Sequence, residues 1–298
     1  MRSLGKSDPC GPSSEIVVAC VQTAPEIGRK QDNVARGLLA IEQAAAQGAQ
    51  VVVLPELCNT GYVFESRDEA FALAENVRDG ESVQQWAEAA RRLGLVIVAG
   101  FAERAGQSLY NSAAVLGPEG YIGRYRKLHL WNREHLVFEP GDIGLETFQT
   151  PLGLIAPVIC YDGWFPEVYR QLALRGVDLV CMPTNWVPMA GQSEDERAMA
   201  NTLAIANAHV SALNIACADR IGTERGQRFI GRSLIVAAGG QVLAGPASAD
   251  REEILVTRID LDSSRRASHF NDFNDALRDR RIDVYGPMHG DGWPPHRS

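Results

Sequence analysis

The sequence lacks any apolar run of 18 residues and any long run of charges of one sign. A membrane-spanning helix needs about 20 predominantly apolar residues, so we expect none. The 29 basic residues are outnumbered by 37 acidic ones, which gives a formal net charge of −8. That balance disfavours nucleic acid or an anionic membrane surface as a partner. Small-molecule partners are expected instead.

Signal-peptide features and paired cysteines are also missing. Residues 1–14 contain no apolar segment of the kind that a secretory signal needs. The six cysteines form no C-x-x-C pair and no spacing typical of a disulfide scaffold. They are Cys10, Cys20, Cys58, Cys160, Cys181 and Cys217. The sequence therefore predicts a cytoplasmic protein with free thiols, a flexible tail at residues 1–14 and an extended arm at residues 285–298.

No Ser/Gly/Pro-rich linker divides the chain, and 298 residues at 45% hydrophobic can bury a large core. Apolar strand patterns alternate with helical ones, which predicts a single α/β domain over residues 15–284. Predicted strands span residues 15–21, 50–54, 95–101, 109–117, 121–130, 154–160, 178–182, 212–219, 231–238 and 253–260. Predicted helices span residues 31–48, 82–93, 166–175 and 194–209.

One pattern occurs twice. The stretch GAQVVVLP, residues 48–55, matches GVDLVCMP, residues 176–183, in its order of glycine, strand and proline. Two comparable halves packed face to face would produce this repeat. Chance is the other explanation, because a helix, a glycine and a strand follow one another in many α/β proteins.

Three predicted strands end at reactive side chains: Glu56, Lys127 and Cys160. Ligand sites of open α/β sheets gather beyond the carboxyl ends of strands, so these residues are plausible neighbours. A carboxylate, an amine and a thiol together suit acyl transfer: a base, a cation for the oxyanion and a nucleophile. Each has an ordinary alternative, since free cysteine is often core filler and the two charged residues are commonly solvated.

Three blocks carry a family resemblance. The stretches LPELCNTGY (54–62), YRKLHLWNREHLVFEPGD (125–142) and CYDGWFPE (160–167) resemble those of the nitrilase or carbon–nitrogen hydrolase superfamily, in its amidase-type branches. The similarity extends from about residue 15 to 262 and includes PTNW (183–186) and RFIGRSLIV (228–236). The resemblance implies a four-layer α-β-β-α sandwich with no metal or organic cofactor.

The resemblance also implies roles for individual residues. Glu56 corresponds to the general base, Lys127 to the catalytic lysine and Cys160 to the nucleophile. Glu134 corresponds to a second glutamate that orients substrate or water, and the backbone N–H of Tyr161 would join Lys127 in the oxyanion hole. The implied reaction is hydrolysis of a small primary amide through a thioester, with water as the second substrate.

Aromatic residues beside these blocks could form the walls of an apolar pocket, and Asn185 could add a polar contact. The expected substrate-contacting residues are Tyr62, Trp131, Tyr161, Trp164, Asn185 and Trp186. No cluster of arginines is present to bind a carboxylate, although Arg133 or Arg170 could do so singly, so we expect a neutral or cationic amide. Cys160 is followed by Tyr-Asp, where nitrile-cleaving members more often have Trp-Glu, which favours an amidase or carbamoyl-amide hydrolase.

Other interpretations stay open at this point. A cysteine–histidine enzyme could use His129, His135 or His209, although His129 would face away from Lys127 on a strand. A metal site could use His129, Glu134 and His135, although the nearby Lys127 opposes a cation. A binding module or a redox-sensing thiol protein is the non-enzymatic alternative.

The resemblance further implies a homodimer or a larger homo-oligomer. The helix at residues 166–175 and the C-terminal arm are the candidate interface.

Overall fold

The computed structural model describes residues 15–191 and 197–285 and contains two six-stranded sheets. The strands are β1 (Glu15–Gln22), β2 (Val51–Val53), β3 (Val96–Ala105), β4 (Ser108–Gly117), β5 (Gly120–Arg126), β6 (Phe148–Thr150), β7 (Gly153–Pro157), β8 (Leu179–Pro183), β9 (Asn214–Ala218), β10 (Thr223–Glu224), β11 (Gln227–Arg228), β12 (Leu234–Val236), β13 (Val242–Ala244) and β14 (Glu253–Asp260). The α-helices are α1 (Lys30–Ala46), α2 (Arg67–Leu73), α3 (Glu81–Leu93), α4 (Pro166–Leu174), α5 (Met199–Ser211) and α6 (Leu261–Arg265). Two short 3-10 helices span Asn132–Leu136 and Cys160–Trp164.

The two sheets share one topology. Their strand orders are β14-β1-β2-β3-β4-β5 and β13-β12-β9-β8-β7-β6, and strands β10 and β11 form a separate hairpin. In the first sheet β1, β2 and β3 are parallel and β4 and β5 follow antiparallel. In the second, β7, β8 and β9 are parallel and β12 and β13 follow antiparallel. An antiparallel edge strand completes each sheet, β14 beside β1 and β6 beside β7.

The repeated sequence pattern lies at equivalent places in these two halves. Its strands are β2 and β8, each the second of three parallel strands. Gly48 and Gly176, which begin the two copies, both have left-handed backbones, with φ of +86° and +75°. Glycine adopts that conformation without a steric penalty. The equivalent placement favours duplication over chance.

The strands bury both faces because two layers cover each sheet. In β1, Val18 and Cys20 belong to the core that includes the second sheet, whereas Ala19 and Val21 pack with the residues of α1 and α3. Alternate side chains of a strand point to opposite faces, which accounts for this division. Helices α4 and α5 pack on the other side of the second sheet. The result is the expected single-domain α-β-β-α sandwich.

The prediction is wrong at two strand ends that matter for the site. The strand predicted to reach residue 130 ends at Arg126, and the one predicted to reach residue 160 ends at Pro157. In both places the Asp162 carboxylate accepts a backbone N–H beyond the strand, from His129 and from Ile159. The chain therefore leaves the ladder although its apolar character continues.

The remaining differences are smaller. The helix predicted at 194–209 is α5, which begins at Met199 and ends at Ser211. The sequence pattern did not predict α2, α6, β6, β13 or the β10–β11 hairpin. Within residues 15–191 and 197–285 no helix is long and apolar enough to cross a membrane. The tail at 1–14 and residues 286–298 of the arm lie outside the described residues.

Candidate active site

Glu56 lies two residues beyond Leu54, where the chain leaves β2 and crosses the neighbouring strand β3. The Leu54 N–H donates to Val98 O at 2.9 Å, and the Gly100 N–H donates to Pro55 O at 3.2 Å. A Cβ on Gly100 would lie 2.5 Å from both the Glu56 Cα and Pro55 O. Only glycine leaves room for this crossing, which directs Glu56 into the interior between the sheets.

Lys127 connects two carboxylates in a buried cluster. Its Nζ donates to Glu56 Oε1 and to Glu134 Oε1, each at 2.7 Å. Glu56 is fully buried, Lys127 is 1% exposed and Glu134 is 5% exposed. Buried charges persist when they are paired and hydrogen-bonded. The structure therefore brings together three of the four residues to which the resemblance gives catalytic roles.

The environment of Glu56 brings the pKa of its carboxyl close to neutral pH, which suits proton transfer. Burial raises the pKa of its carboxyl to about 7, with the Glu134 charge adding to the rise and Lys127 opposing it. Asn111 Nδ2 also donates to Glu56 Oε1, at 2.6 Å. The other oxygen, Oε2, has no hydrogen-bond partner among the residues that the structure describes. Glu56 thus keeps one oxygen free to accept a proton.

The two carboxylates keep Lys127 charged. Burial by itself would lower the pKa of Lys127, but the charges of Glu134 and Glu56 more than offset that effect and raise it. Tyr62 completes this side of the cluster, since its hydroxyl donates to Glu134 Oε1 at 2.6 Å. The second oxygen of Glu134 accepts a longer bond from the Trp131 N–H, at 3.3 Å.

Cys160 is the first residue of the 3-10 helix that follows β7, and it is 6% exposed. Its φ of +45° is left-handed, a conformation that costs a non-glycine residue about 1–2 kcal/mol. Burial raises the pKa of the thiol, Glu56 raises it further, and Lys127 acts in the opposite direction. The resting thiol is therefore protonated, and the charges of Glu56 and Lys127 both act on it.

Asp162 fixes the turn that carries Cys160. Its Oδ2 accepts the Ile159 N–H at 3.0 Å and the Tyr125 hydroxyl at 2.7 Å. Its Oδ1 accepts the His129 N–H at 3.0 Å and lies 2.8 Å from His129 Nδ1. Asp162 is fully buried. One carboxylate therefore ties the cysteine turn to the segment that follows Lys127.

A cleft in two adjoining parts lies over this cluster. All six residues expected to contact substrate line it. Including their open mouths, the part beside Cys160 measures about 270 Å³ and the part beside Glu134 about 510 Å³. The first part contains Trp131, Tyr161, Trp164, Asn185 and Trp186, and the second contains Tyr62 and again Trp131. Tyr161 packs against Trp131 with ring centroids 4.9 Å apart. The walls beside the thiol are therefore mainly aromatic.

The two arginines that could bind a substrate carboxylate, Arg133 and Arg170, lie in different surroundings. Arg133 lines the part of the cleft beside Glu134. Arg170 does not serve the cleft: its guanidinium donates to Val210 O at 2.7 Å and to Ala276 O at 3.5 Å, which joins α4 to α5 and the C-terminal segment. Arg133 alone remains available to a substrate.

Two of the three candidate histidines, His129 and His209, have other partners. His129 does not lie on a strand, so the alternation argument does not apply to it, and its ring stacks on Phe165 at 3.7 Å between centroids. His209 Nδ1 lies 3.0 Å from Gly239 O. Glu134, which a metal site would require, is bonded to Lys127. Among the described residues no group of three or more His, Cys, Asp or Glu could hold a metal ion.

Sequence reasoning missed two residues of the site. Asn111 holds Glu56 from the middle of β4, and the signal for it was an amide side chain inside a predicted strand. In the sequence, Asp162 stands out only as a member of the CYDGWFPE block. Its position two residues after Cys160 could have suggested a side chain that accepts backbone N–H groups at a turn.

Comparison with known proteins shows which family the chain resembles. The carbon-nitrogen hydrolase family profile matches residues 17–268. A protein of Pyrococcus abyssi named nitrilase is 43% identical over 271 residues, which cover 91% of this chain and 99% of that protein. The N-carbamoylputrescine amidase of Arabidopsis thaliana is 32% identical over 292 residues, covering 92% and 95%.

A solved structure agrees with the sequence matches. The crystal structure of a carbon-nitrogen hydrolase from Helicobacter pylori superposes with a TM-score of 0.82 at 30% identity, covering 91% of this chain and 97% of that one. The fold, the family profile and the relatives agree over nearly the whole described chain. The protein therefore belongs to the carbon–nitrogen hydrolase family and is a hydrolase.

Proposed function

We propose that this hydrolase cleaves a small primary amide to ammonia and a carboxylic acid through a thioester on Cys160. One observation carries the proposal: Cys160 and Glu134 line the two parts of one aromatic-walled cleft, and Glu134 belongs to the buried Glu56–Lys127–Glu134 cluster. We propose a cytoplasmic location, which the free thiols of the described cysteines support. We propose a neutral or cationic substrate with water as the second reactant.

The first half-reaction transfers the acyl group to sulfur. Cys160 Sγ adds to the amide carbon while its proton passes to Glu56, which a pKa of about 7 makes an effective base near neutrality. Lys127 and the Tyr161 N–H stabilise the oxyanion. The Tyr161 N–H is available because N–H groups in the first turn of a helix lack intrahelical partners. Glu56 then returns the proton to the nitrogen. The C–N bond breaks, ammonia leaves and the thioester remains.

The second half-reaction restores the enzyme. Water attacks the thioester carbon and gives a proton to Glu56, with Glu134 orienting the water or the substrate. The C–S bond breaks, the thiolate takes a proton back, and the carboxylic acid leaves. Over one cycle an amide and water become a carboxylic acid and ammonia, with no net change in the protein.

An N-carbamoyl amine is the second candidate substrate. Such a substrate has an N–H on the far side of its carbonyl. Within residues 15–191 and 197–285, Glu134 Oε2 accepts a single long bond, of 3.3 Å, from the Trp131 N–H. This oxygen could accept the additional N–H. The Arabidopsis relative named N-carbamoylputrescine amidase supports the same candidate. Nitriles form a third class, supported by the name of the Pyrococcus relative.

The test is a screen for ammonia release over primary amides, N-carbamoyl amines and nitriles. We expect turnover of an amide or carbamoyl compound, and a loss of at least about 10³-fold in kcat for Cys160→Ala and Glu56→Gln. Glu65→Gln, which changes an exposed glutamate, serves as the matched control and should keep full activity. An unchanged rate in Cys160→Ala would refute the mechanism. A panel without turnover and without any adduct on Cys160 would favour a binding module.

A further inference from the structure

Tyr62 is held in the cleft by a residue from the other half of the molecule. The Tyr62 N–H and the Val63 N–H both donate to Glu224 Oε2, at 2.8 and 2.6 Å. Glu224 ends β10 and is 6% exposed, yet it is not among the residues that line the cleft. Its carboxylate contacts the backbone of the loop that carries Tyr62.

Glu224 is itself fixed on its other oxygen. Arg220 is 2% exposed, and its NH1 contacts Glu224 Oε1 at 3.1 Å. The NH2 of Arg220 donates to Pro25 O at 2.6 Å, and its guanidinium lies 4.1 Å from the ring centroid of Phe229. The Phe229 ring in turn meets Tyr62 edge to face, at 5.7 Å between centroids. The Glu224–Arg220 ion pair therefore supports Tyr62 in two ways. Glu224 accepts the Tyr62 backbone N–H, and Arg220 packs on the Phe229 ring that contacts the Tyr62 ring.

The loop packs closely against the carboxylate. Gly61 has a φ of +86°, and a Cβ there would lie 2.7 Å from Glu224 Oε1 and 2.5 Å from Ile27 Cα. A side chain at position 61 would therefore collide with Glu224, and glycine allows the loop to approach this carboxylate closely. Two hydrogen bonds from the loop backbone to Glu224 then fix its orientation.

The far end of Tyr62 reaches the reacting groups. Its hydroxyl donates at 2.6 Å to Glu134 Oε1, the same oxygen that accepts Lys127 Nζ at 2.7 Å. A displacement of the Tyr62 backbone would move or break that bond. Glu134 would then lose one of the two groups that fix its Oε1, and this carboxylate partner of Lys127 would be held less firmly.

We propose that Glu224 is a positioning residue for the hydrolytic reaction, because it fixes the Tyr62 backbone and through it the hydroxyl that orients Glu134 and Lys127. This inference rests on the proposed function of the same site. A purely structural role is the competing explanation, since a buried ion pair also contributes to folding.

A double-mutant cycle separates the two explanations. We expect Glu224→Ala and Tyr62→Phe each to lower kcat by about ten-fold or more, with a smaller change in KM, and the double variant to be no slower than Tyr62→Phe. If Glu224 acts only through the Tyr62 hydroxyl, the two losses cannot add. Additive losses, or an unchanged kcat in Glu224→Ala, would overturn the proposal.

Two further variants separate a specific role of Glu224 from a general loss of structure. Glu224→Gln keeps an oxygen for the Tyr62 and Val63 N–H groups, so it should recover most of the kcat that Glu224→Ala loses. Glu69→Gln removes the Arg225–Glu69 ion pair, which joins the same hairpin to α2, and should leave kcat unchanged. A loss in Glu69→Gln equal to that in Glu224→Ala would mean that any loosening of the hairpin suffices, and would overturn the specific role.

A second measurement needs no turnover. Iodoacetamide alkylates thiols and carries an amide group, and mass spectrometry of the Cys160 peptide gives its rate. We expect a rate at least about five-fold lower in Glu224→Ala and Tyr62→Phe, again without addition in the double variant. If no amide were hydrolysed, the proposed function would fail while this cycle still tested Glu224. Equal alkylation rates in all four proteins would overturn the inference.

Discussion

The Glu56 carboxyl is fully buried and hydrogen-bonded on one oxygen, and its other oxygen has no partner within the described part of the chain. Burial is the largest of the effects that raise its pKa to about 7. A raised pKa means that the group is protonated below about pH 7 and cannot then accept the Cys160 proton. We expect kcat/KM to rise with pH to a plateau with a midpoint near 7, measured from about pH 5 to about pH 9. A profile that is flat through neutrality would contradict this role for Glu56.

Asn111 provides a second prediction at this scale. Its amide donates to Glu56 Oε1, and this bond lowers the pKa of the carboxyl because it favours the charged form. In Asn111→Ala we expect the midpoint of the kcat/KM profile to move to higher pH. Asn76→Ala, at an exposed position beyond α2, is the control and should leave the midpoint in place. A midpoint that moves to lower pH would show that the bond has the opposite effect.

The 3-10 helix with Cys160 depends on Asp162 rather than on packing alone. Replacing this residue by alanine leaves the Ile159 N–H, the His129 N–H and the Tyr125 hydroxyl without their acceptor. Buried donors without partners cost about 1–3 kcal/mol each, so we expect Asp162→Ala to lower the free energy of unfolding by about 3 kcal/mol or more. Denaturant titration measures this, and activity should fall with it.

Asp162→Asn is the matched control for that prediction. Asparagine keeps one oxygen acceptor in the same place, so it should lose less stability than alanine does. Equal stability of Asp162→Ala and the parent protein would show that the turn is held by other contacts.

The crossing of β3 by the Glu56 segment leads to a further prediction at the scale of elements. Alanine at position 100 would place a Cβ 2.5 Å from the Glu56 Cα, against backbone that cannot easily move. Overpacking of this kind costs about 1–3 kcal/mol, and here it should also displace Glu56 and lower kcat. Gly37→Ala in α1 is the control, since its Cβ would meet Leu54 and Trp86 at 3.9 Å and alanine favours a helix. Thermal unfolding and kcat of both variants measure the difference.

How far the sequence predicts these elements depends on what fixes each one. Strands β1, β3 and β14 follow from apolar patterns and were predicted to within a few residues. The ends of β5 and β7 were not, because the Asp162 side chain takes the backbone donors there and hydropathy does not report such bonds. The contact between Glu224 and Tyr62 joins residues 162 positions apart. No local pattern contains that information.

At the scale of the whole molecule, one surface carries large apolar side chains in contact with solvent. They lie at the end of α4, on α5 and in the segment after α6: Leu174, Met199, Val210, Phe270 and Phe273. Phe273 is 84% exposed. Patches of this kind often mark an interface. We propose that this face forms the homodimer expected from the family resemblance.

Light scattering tests the assembly. We expect a dimer or larger particle at micromolar concentration, and a shift toward monomer in the double variant Val210→Glu, Phe273→Glu, because buried unpaired charges oppose association. Leu39→Glu, on the exposed side of α1, is the control and should leave the mass unchanged. A monomeric parent protein would contradict the proposal.

The overall architecture could be predicted from the sequence because the two halves of the fold repeat each other. Each half repeats one order of parallel and antiparallel strands, so the copies at Gly48 and Gly176 marked equivalent strands. The three reactive residues each follow a strand, and the family blocks around Glu56, Lys127 and Cys160 identified them. The depth of their burial, which determines the pKa of Glu56, required the second sheet and could not be seen from local sequence.

The most direct test of the central claim is to trap the acyl-enzyme. The protein is mixed with a slowly hydrolysed amide, quenched in acid and digested, and the peptides are weighed by mass spectrometry. The mechanism predicts an adduct on the Cys160 peptide with the mass of the amide less ammonia, and no such adduct in Cys160→Ala. Ammonia release without any adduct on Cys160, persisting in Cys160→Ala, would contradict it.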